Sequence, residues 1–285
     1  MKKILVPIDF TPCSESALNY AIGIAKNTNT EIHLVHAVEL DYTFTGGNLY
    51  GARLSELEMA DNPFKQLKEV FERADELLVE LLEVHKGEVK YKTSILEGDL
   101  VGELLAYSLE NEIDLVVMGS HGVRGLNTLI LGSNAQKMIR LSKVPVIVVK
   151  EKSSLAMFRS IVYTSDFREE QLNNSLNYIK TISEFYKSDL HLLYINSPNK
   201  FEESDVVDER MAKVVEDHQL KNATFSTYNS VWIEEGILKY IKKYQPDLLV
   251  INTHGYKGLK KIFHHSVAES VAHAIDIPVM IIPNH

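Results

Sequence analysis

The sequence repeats itself. Residues 4–10, Ile-Leu-Val-Pro-Ile-Asp-Phe, return as residues 161–167, Ile-Val-Tyr-Thr-Ser-Asp-Phe. Four more pairs of segments follow in the same order: 17–20 with 175–178, 32–34 with 190–192, 114–122 with 247–255, and 144–146 with 277–279. A shared order over the whole chain indicates two tandem copies of one unit. We therefore predict two domains, residues 1–150 and residues 158–285, joined by a polar stretch near residues 150–157.

The two copies differ in length at one place. His33 matches His191 and Asp114 matches Asp247, so the second copy is shorter between its second and fourth strands. The additional residues of the first copy must lie within residues 39–95. Part of that stretch, residues 43–51, is rich in glycine and has no hydrophobic period, which predicts a loop.

Strands and helices alternate along the first copy. Short apolar runs rich in β-branched residues are typical of buried parallel strands, and they occur at 4–8, 32–38, 115–118 and 146–149. Apolar residues at helical spacing occupy 14–26, 64–85, 100–111 and 133–142. This alternation predicts an α/β fold, with a parallel sheet of about five strands in each copy and helices on both faces.

Charge and composition exclude several classes of function. The 30 Lys and Arg residues against 39 Asp and Glu residues give a net charge of −9, which disfavours nonspecific binding to nucleic acid or to an anionic membrane. No run reaches the ~18 apolar residues of a membrane helix. A single cysteine, Cys13, cannot form an internal disulfide. We expect a cytoplasmic protein without nucleic-acid or membrane partners.

The segment after Met118 carries the strongest functional signal. It reads Gly119-Ser-His-Gly122, continues to Gly132-Ser133, and is followed by a helical pattern. In open parallel sheets, ligands bind beyond the carboxyl ends of the strands. Glycines there allow backbone N–H groups to reach phosphate oxygens, and the helix dipole adds attraction. An ordinary strand-to-helix loop is the alternative. The spacing matches neither the dinucleotide-binding nor the P-loop motif.

These glycines, the strand Asp-Leu-Val-Val-Met before them, the Val-Pro-Val after them and the opening Ile-Leu-Val-Pro-x-Asp resemble the universal stress protein family. The resemblance covers nearly the whole chain. It implies two tandem doubly wound domains with strand order 3-2-1-4-5, and binding of ATP or AMP, with Mg²⁺ as a candidate companion ion. By the same resemblance, Asp9 contacts the ribose. The remaining implied contacts are Gly119, Gly122, Gly132 and Ser133 at the phosphates, with Pro7 and Ala37 near the base.

Several alternatives stay open for individual residues. Asp9 could instead be the N-cap of the helix that follows it. His121 and His254 recur in both copies, but the sequence shows no nucleophile or paired carboxylate beside them. His264 and His265 are adjacent, which is poor spacing for a metal pair on a helix. Arg124 could reach a terminal phosphate or lie in solvent. We assign no catalytic residue and no metal ligand.

The leading hypothesis is a nucleotide-binding regulatory protein of the stress response, in which bound nucleotide changes the interaction with a protein partner. A slow ATPase, another nucleotide-using enzyme and a nucleotide-free scaffold are the alternatives. Against phosphoryl transfer, no array of lysines or arginines accompanies a general base.

The second copy departs from the motif. Asn252 replaces Gly119, His265 replaces Gly132 and Thr164 replaces Pro7, whereas Gly255 and Ser266 are retained. We expect this copy not to bind nucleotide in the family manner and to serve in pairing or partner binding. Family domains pair through their last strands, so residues 146–149 and 279–282 are expected to pair within the chain. A homodimer of two chains is also expected.

Overall fold

The computed structural model describes residues 1–38, 48–49, 52–53, 63–85, 87–121, 131–151, 158–168, 172–254 and 267–284. The first half contains β1 (Lys3–Pro7), α1 (Pro12–Thr28), β2 (Glu31–Val38), β3 (Asn48–Leu49), β4 (Ala52–Arg53), α2 (Pro63–Val84), β5 (Lys90–Glu97), α3 (Leu100–Glu110), β6 (Leu115–Gly119), α4 (Ser133–Leu141) and β7 (Val146–Val149). The second half contains β8 (Ser160–Thr164), α5 (Leu172–Tyr186), β9 (Asp189–Asn196), a 3₁₀ turn (Pro198–Lys200), α6 (Ser204–Asp217), β10 (Ala223–Asn229), α7 (Ile233–Tyr244), β11 (Leu248–His254), α8 (Val267–Ala274) and β12 (Val279–Asn284).

Ten strands form one continuous sheet in the order β10-β9-β8-β11-β12-β7-β6-β1-β2-β5. Each half of this order corresponds to strands 3-2-1-4-5 of one domain, which confirms the expected topology. Within each half all pairings are parallel. The first strand of each half therefore lies at the centre of its own five strands.

The two halves meet at an antiparallel junction between β7 and β12. Val148 pairs with Val279, Ile147 with Met280, and Val146 with Ile281. This confirms the prediction that the last strands pair inside one chain. Because β7 also pairs with β6 and β12 with β11, neither strand keeps a free edge for a second chain. Any homodimer must use a different surface.

The sheet has a hydrophobic core on each face, and alternate residues of each strand contribute to opposite faces. Ile4 and Val6 pack with the face that carries α1, α2, α5 and α6, whereas Leu5 packs with α3, α4, α7 and α8. Complete burial of each such side chain contributes about 1.5–3 kcal/mol. No helix in the described part of the chain is both long and apolar enough to cross a membrane.

The third strand of each half is absent from the apolar runs that the sequence displays. Strand β5 reads Lys-Tyr-Lys-Thr-Ser-Ile-Leu-Glu and is mostly exposed or half-buried, because it lies at the edge of the sheet. The expected loop at 43–51 overlaps a short antiparallel ribbon, β3 with β4. Helix α2 has 22 residues and its counterpart α6 has 14, so a longer helix accounts for part of the extra length in the first copy.

Candidate functional site

The registers of the adjacent strands β1, β2 and β6 place the candidate residues of the first copy at similar heights along the strand direction. Pro7, buried at the end of β1, pairs with Val35 of β2, and Leu5 pairs with Val116 of β6. Continuing both registers places Asp9 beside Ala37 on one side and beside Ser120 on the other. Asp9, Ala37 and the end of β6 therefore share the carboxyl edge of the sheet, as the sequence predicts.

A left-handed turn follows β1. Phe10 has φ 58°, a conformation that costs a residue with a bulky side chain on the order of 1 kcal/mol or more. Oδ1 of Asp9 accepts hydrogen bonds from the backbone N–H of Thr11 at 3.2 Å and from its hydroxyl at 2.6 Å. The second copy repeats the turn, with φ 54° at Phe167. The turn holds the half-buried Asp9 carboxylate at the end of the strand.

Thr11, and not Asp9, is the N-cap of α1. The Thr11 hydroxyl accepts from the N–H of Ser14, and the Ser14 hydroxyl accepts from the N–H of Thr11, forming a capping box. The alternative role of Asp9 as N-cap is therefore wrong. Within the described residues, Oδ2 of Asp9 has no hydrogen bond and can accept one from a ligand hydroxyl.

Gly119 is a glycine for a packing reason as well. A Cβ at this position would lie 3.0 Å from Sγ of Cys13 and 3.1 Å from the Cys13 carbonyl carbon and oxygen. Helix α1 thus begins in direct contact with the end of β6. The sequence motif did not reveal this contact, which brings Cys13 and Ser120 to 3.7 Å between Sγ and Oγ.

Gly132 joins the start of α4 to the end of β6. Its N–H donates to the carbonyl of Ser120 at 2.7 Å, and it is the N-cap of the helix, without a side-chain cap. Gly132 N–H is therefore engaged, and Ser133 is the first helical residue. The N–H groups without a partner inside the helix are those of Ser133, Asn134 and Ala135, since Gln136 is the first to donate to Gly132.

Two histidines adjoin this edge. His36, which the motif did not identify, donates from Nδ1 to the Ile8 carbonyl at 2.7 Å, and its ring lies 5.2 Å from that of Phe10. Burial lowers the pKa of His36, and the hydrogen bond to Ile8 and the charge of Asp9 oppose that shift. A polar residue inside an apolar strand was the only sequence signal for His36. His121 contacts the Ser120 hydroxyl through Nδ1 at 3.0 Å, which fits a loop histidine satisfied by a neighbour.

Some candidates lie outside the described residues, namely Gly122, Arg124, Gly255, His264, His265 and Ser266. Across the described ranges, no group of three or more His, Cys, Asp or Glu side chains could hold a metal ion.

At the equivalent position of the second copy, its own side chains hydrogen-bond to one another and to the backbone. Asn252, the counterpart of Gly119, donates to the Tyr163 hydroxyl at 2.7 Å. Arg210 of α6 donates to the carbonyl of Asp166 at 2.9 Å and pairs with Glu202. Tyr194, the counterpart of His36, also donates to Glu202, at 3.0 Å. The hydrogen bonds to Arg210 above all, and then those to Tyr194 and Arg168, lower the pKa of Glu202 to about 2.

Comparison with known proteins agrees with this architecture. The model of the universal stress protein family matches residues 1–150 and again residues 157–283. Universal stress protein MJ0531 of Methanocaldococcus jannaschii is 33% identical over 152 residues, covering 53% of this chain and 82% of the relative. Universal stress protein YxiE of Bacillus subtilis is 31% identical over 152 residues, covering 52% and 98%.

Among solved structures, a universal stress protein from Archaeoglobus fulgidus has a TM-score of 0.76 at 20% identity and covers 99% of this chain and 96% of its own. That likeness extends the agreement in fold to both halves and to their arrangement. The chain belongs to the universal stress protein family and carries two domains of that family in tandem.

Proposed function

We propose that the N-terminal domain, residues 1–150, binds an adenine nucleotide, ATP or AMP, and that occupancy regulates how the protein meets a partner in the stress response. The C-terminal domain, residues 158–285, serves as its pairing partner and as a partner-binding surface. In this proposal the Asp9 carboxylate accepts from the ribose hydroxyls, Pro7 and Ala37 adjoin the base, and the loop ending at Gly132 and Ser133 receives the phosphates.

The observation that carries the proposal is that Asp9 follows β1 and Ser120 follows β6, at the carboxyl edge where Ala37 lies near the end of β2, with the amino end of α4 joined to Ser120 through Gly132. A carboxylate suits sugar hydroxyls, whereas unpaired helix N–H groups suit phosphate oxygens. The two kinds of group therefore lie at one edge and can bind opposite ends of one nucleotide. Gly119 and Gly122 are the remaining proposed contacts along the loop.

For the second domain, the side chains around Asp166 support the proposal that it binds no nucleotide in the same way. Arg210, Glu202 and Tyr194 occupy the end of β8 and β9, where the first domain has Asp9 and His36. A ligand there would have to displace a hydrogen-bonded ion pair.

Isothermal titration calorimetry of the full chain with ATP and with AMP, each with and without Mg²⁺, tests the proposal. We expect one site per chain. Asp9→Asn keeps the oxygen that accepts from Thr11 but removes the charge, so we expect affinity to fall about 10- to 100-fold, as for loss of a charged hydrogen bond. Ser133→Ala should lose several-fold.

Asp166→Asn is the matched control, because Asp166 occupies the equivalent turn in the second domain. It should leave binding unchanged. Identification of any nucleotide released from denatured protein, and a phosphate-release assay, distinguish a bound regulator from an ATPase. Absence of binding, two equivalent sites per chain, or equal affinity in the Asp9→Asn protein would each contradict the proposal.

A further inference from the structure

The two domains differ sharply at the start of the helix that follows their third strand. In the first domain, Asp99 is the N-cap of α3 and its side chain accepts from the N–H of Gly102 at 2.9 Å. Before it, Gly98 has φ +139°. The equivalent residues of the second domain are Val231 and Trp232, and Trp232 caps α7 without any side-chain hydrogen bond. Loss of such a cap destabilises the start of a helix.

The substituted side chains are exposed. Trp232 is 61% exposed and Val231 is 60% exposed, and Phe201, from the connection after β9, is 69% exposed. Phe201 and Val231 line an open cavity of about 620 Å³ at the ends of β9 and β10, together with Asn196, Asn229 and Ser230. Oγ of Ser230 is buried and lacks a hydrogen-bond partner among the described residues. A capping residue has thus been replaced by apolar surface beside a cavity, which is typical of an interaction site.

Strand β10 leads directly into this cavity and has an open outer edge in the described sheet. The other edge strand, β5, carries Lys90, Lys92 and Glu97, and charged residues protect an edge against pairing. Strand β10, Ala-Thr-Phe-Ser-Thr-Tyr-Asn, carries no charge. An edge of this kind can accept another strand.

The direction of the free peptide groups follows from two hydrogen bonds. The carbonyl of Asn222 accepts from Leu190, and the N–H of Ser230 donates to Asn196, so even-numbered residues face β9. Because peptide groups alternate along a strand, those of Phe225, Thr227 and Asn229 face outward. They form a row that ends at the cavity.

Carboxylates flank the apolar residues. Glu203 and Asp205 begin α6, just after Phe201, and Glu234 follows Trp232 in the first turn of α7, where the adjacent Glu235 already pairs with Lys239 at 2.8 Å. A basic partner is complementary to them.

We propose that the outer edge of β10 and the apolar residues Phe201, Val231 and Trp232 bind an extended, basic peptide segment of a partner protein. The segment adds as a strand to β10, places an apolar side chain in the cavity, and sets its lysines or arginines against the flanking carboxylates. This surface is separate from the nucleotide site proposed above, and its binding does not require nucleotide.

Fluorescence anisotropy tests the proposal with the full chain and a fluorescein-labelled peptide, Lys-Val-Lys-Phe-Lys-Val, against a control in which glutamates replace the lysines. We expect saturable binding of the basic peptide, at least 10-fold tighter than the acidic one and weakened by salt. Trp232→Asp, which restores the cap found at Asp99, should weaken binding at least 10-fold without lowering Tm. Since this variant adds a negative charge, nonspecific charge attraction predicts the opposite.

Phe225→Lys protects the edge of β10 and should also weaken binding at least 10-fold. Leu109→Asp, which replaces a 73% exposed side chain on α3 of the first domain, is the matched control and should bind normally. Equal binding of both peptides, or unchanged affinity in the folded Trp232→Asp protein, would overturn the proposal. So would a homodimer in sedimentation velocity that Trp232→Asp dissociates, because the surface would then belong to a second copy.

Discussion

Arg140 of α4 forms a two-point ion pair with Glu269 of α8 across the junction of the two domains. Nε donates to Oε1 at 2.7 Å and Nη2 donates to Oε2 at 2.5 Å, while Glu269 is only 3% exposed. The pair joins the helix that begins at the proposed phosphate site to the second domain. On the opposite face, Phe158 packs edge-on against Tyr20 of α1 and Tyr186 of α5. Both faces of the antiparallel junction are therefore closed by specific side chains.

Loss of the Arg140 side chain is expected to destabilise the chain. Arg140→Ala leaves a buried carboxylate without its bidentate partner, at a cost of about 2–3 kcal/mol and a Tm lower by several degrees. Lys137→Ala is the control, since Lys137 is exposed on the same helix and lies 3.8 Å from Asp99. A double-mutant cycle with Glu269→Ala in urea denaturation measures the coupling. Additive effects of the two substitutions would show that the pair contributes nothing.

Stability is expected to fall on mild acidification because of two equivalent histidines. Burial lowers the pKa of His33 and of His191, although Glu31 partly opposes the shift at His33. The unfolded chain then binds more protons than the folded chain below about pH 6.5. The contribution of these two histidines to the free energy of unfolding is therefore complete above about pH 6.5. It is lost as the pH falls through their lower pKa values in the folded state.

Urea denaturation at pH 7.5, 6.5 and 5.5 checks this dependence. His191→Phe, which keeps an aromatic ring against Tyr240, should reduce the slope of the pH profile in that window, while His33 and His36 keep the remaining dependence. His273→Gln alters an exposed histidine and serves as the control. A profile for His191→Phe that parallels the unmodified protein would refute the assignment.

Substitution by alanine should destabilise the chain more at Gly119 than at Gly132. At Gly119 a Cβ meets the Cys13 backbone at 3.1 Å, so Gly119→Ala should cost about 1–3 kcal/mol through forced movement of α1. At Gly132 the nearest atoms, Cα of His121 and the Ser120 carbonyl oxygen, are 3.3 Å away, and a smaller loss is expected. Thermal denaturation measures both, and a larger loss at Gly132 would contradict this reading.

The same contacts affect how binding is tested at Gly132. Gly132→Val introduces a branched side chain against the Ser120 backbone, so lost affinity would combine a change in the fold with a change in the phosphate site. Gly132→Ala and Ser133→Ala, each with its Tm measured beside its affinity, separate the two effects.

Within the second domain, Arg210 should matter more than Arg168, although both pair with Glu202. Arg210 is 21% exposed and also donates to the Asp166 carbonyl, whereas Arg168 is 65% exposed. Arg210→Gln should cost about 2 kcal/mol and Arg168→Gln less than about 0.5 kcal/mol. Because the pKa of Glu202 is lowered, its stabilisation is present above about pH 4.5 and is lost toward pH 2. Equal losses for both variants, measured by urea denaturation at pH 7, would be inconsistent with this ranking.

The repeat and the apolar runs were enough to predict two tandem α/β domains, because buried parallel strands such as β1 and β6 must be apolar on both faces. The apolar runs did not locate strands β5 and β10, because an edge strand is half solvated and its sequence follows no strong hydrophobic pattern. The position of Asp9, Ala37 and Ser120 at one edge of the sheet also followed from topology. The strand order that the family resemblance implied makes β2, β1 and β6 neighbours.

Only the tertiary structure decided what surrounds those residues. The contact of Gly119 with Cys13, the bond from Gly132 to Ser120 and the ion pair of Arg140 with Glu269 join residues far apart in the chain or on opposite sides of a loop. No local pattern encodes such distances. Local sequence determined which segments are buried and where the polar candidate residues lie on each strand. The packing of helices on the shared sheet determined which polar groups are already hydrogen-bonded and which remain open to a ligand.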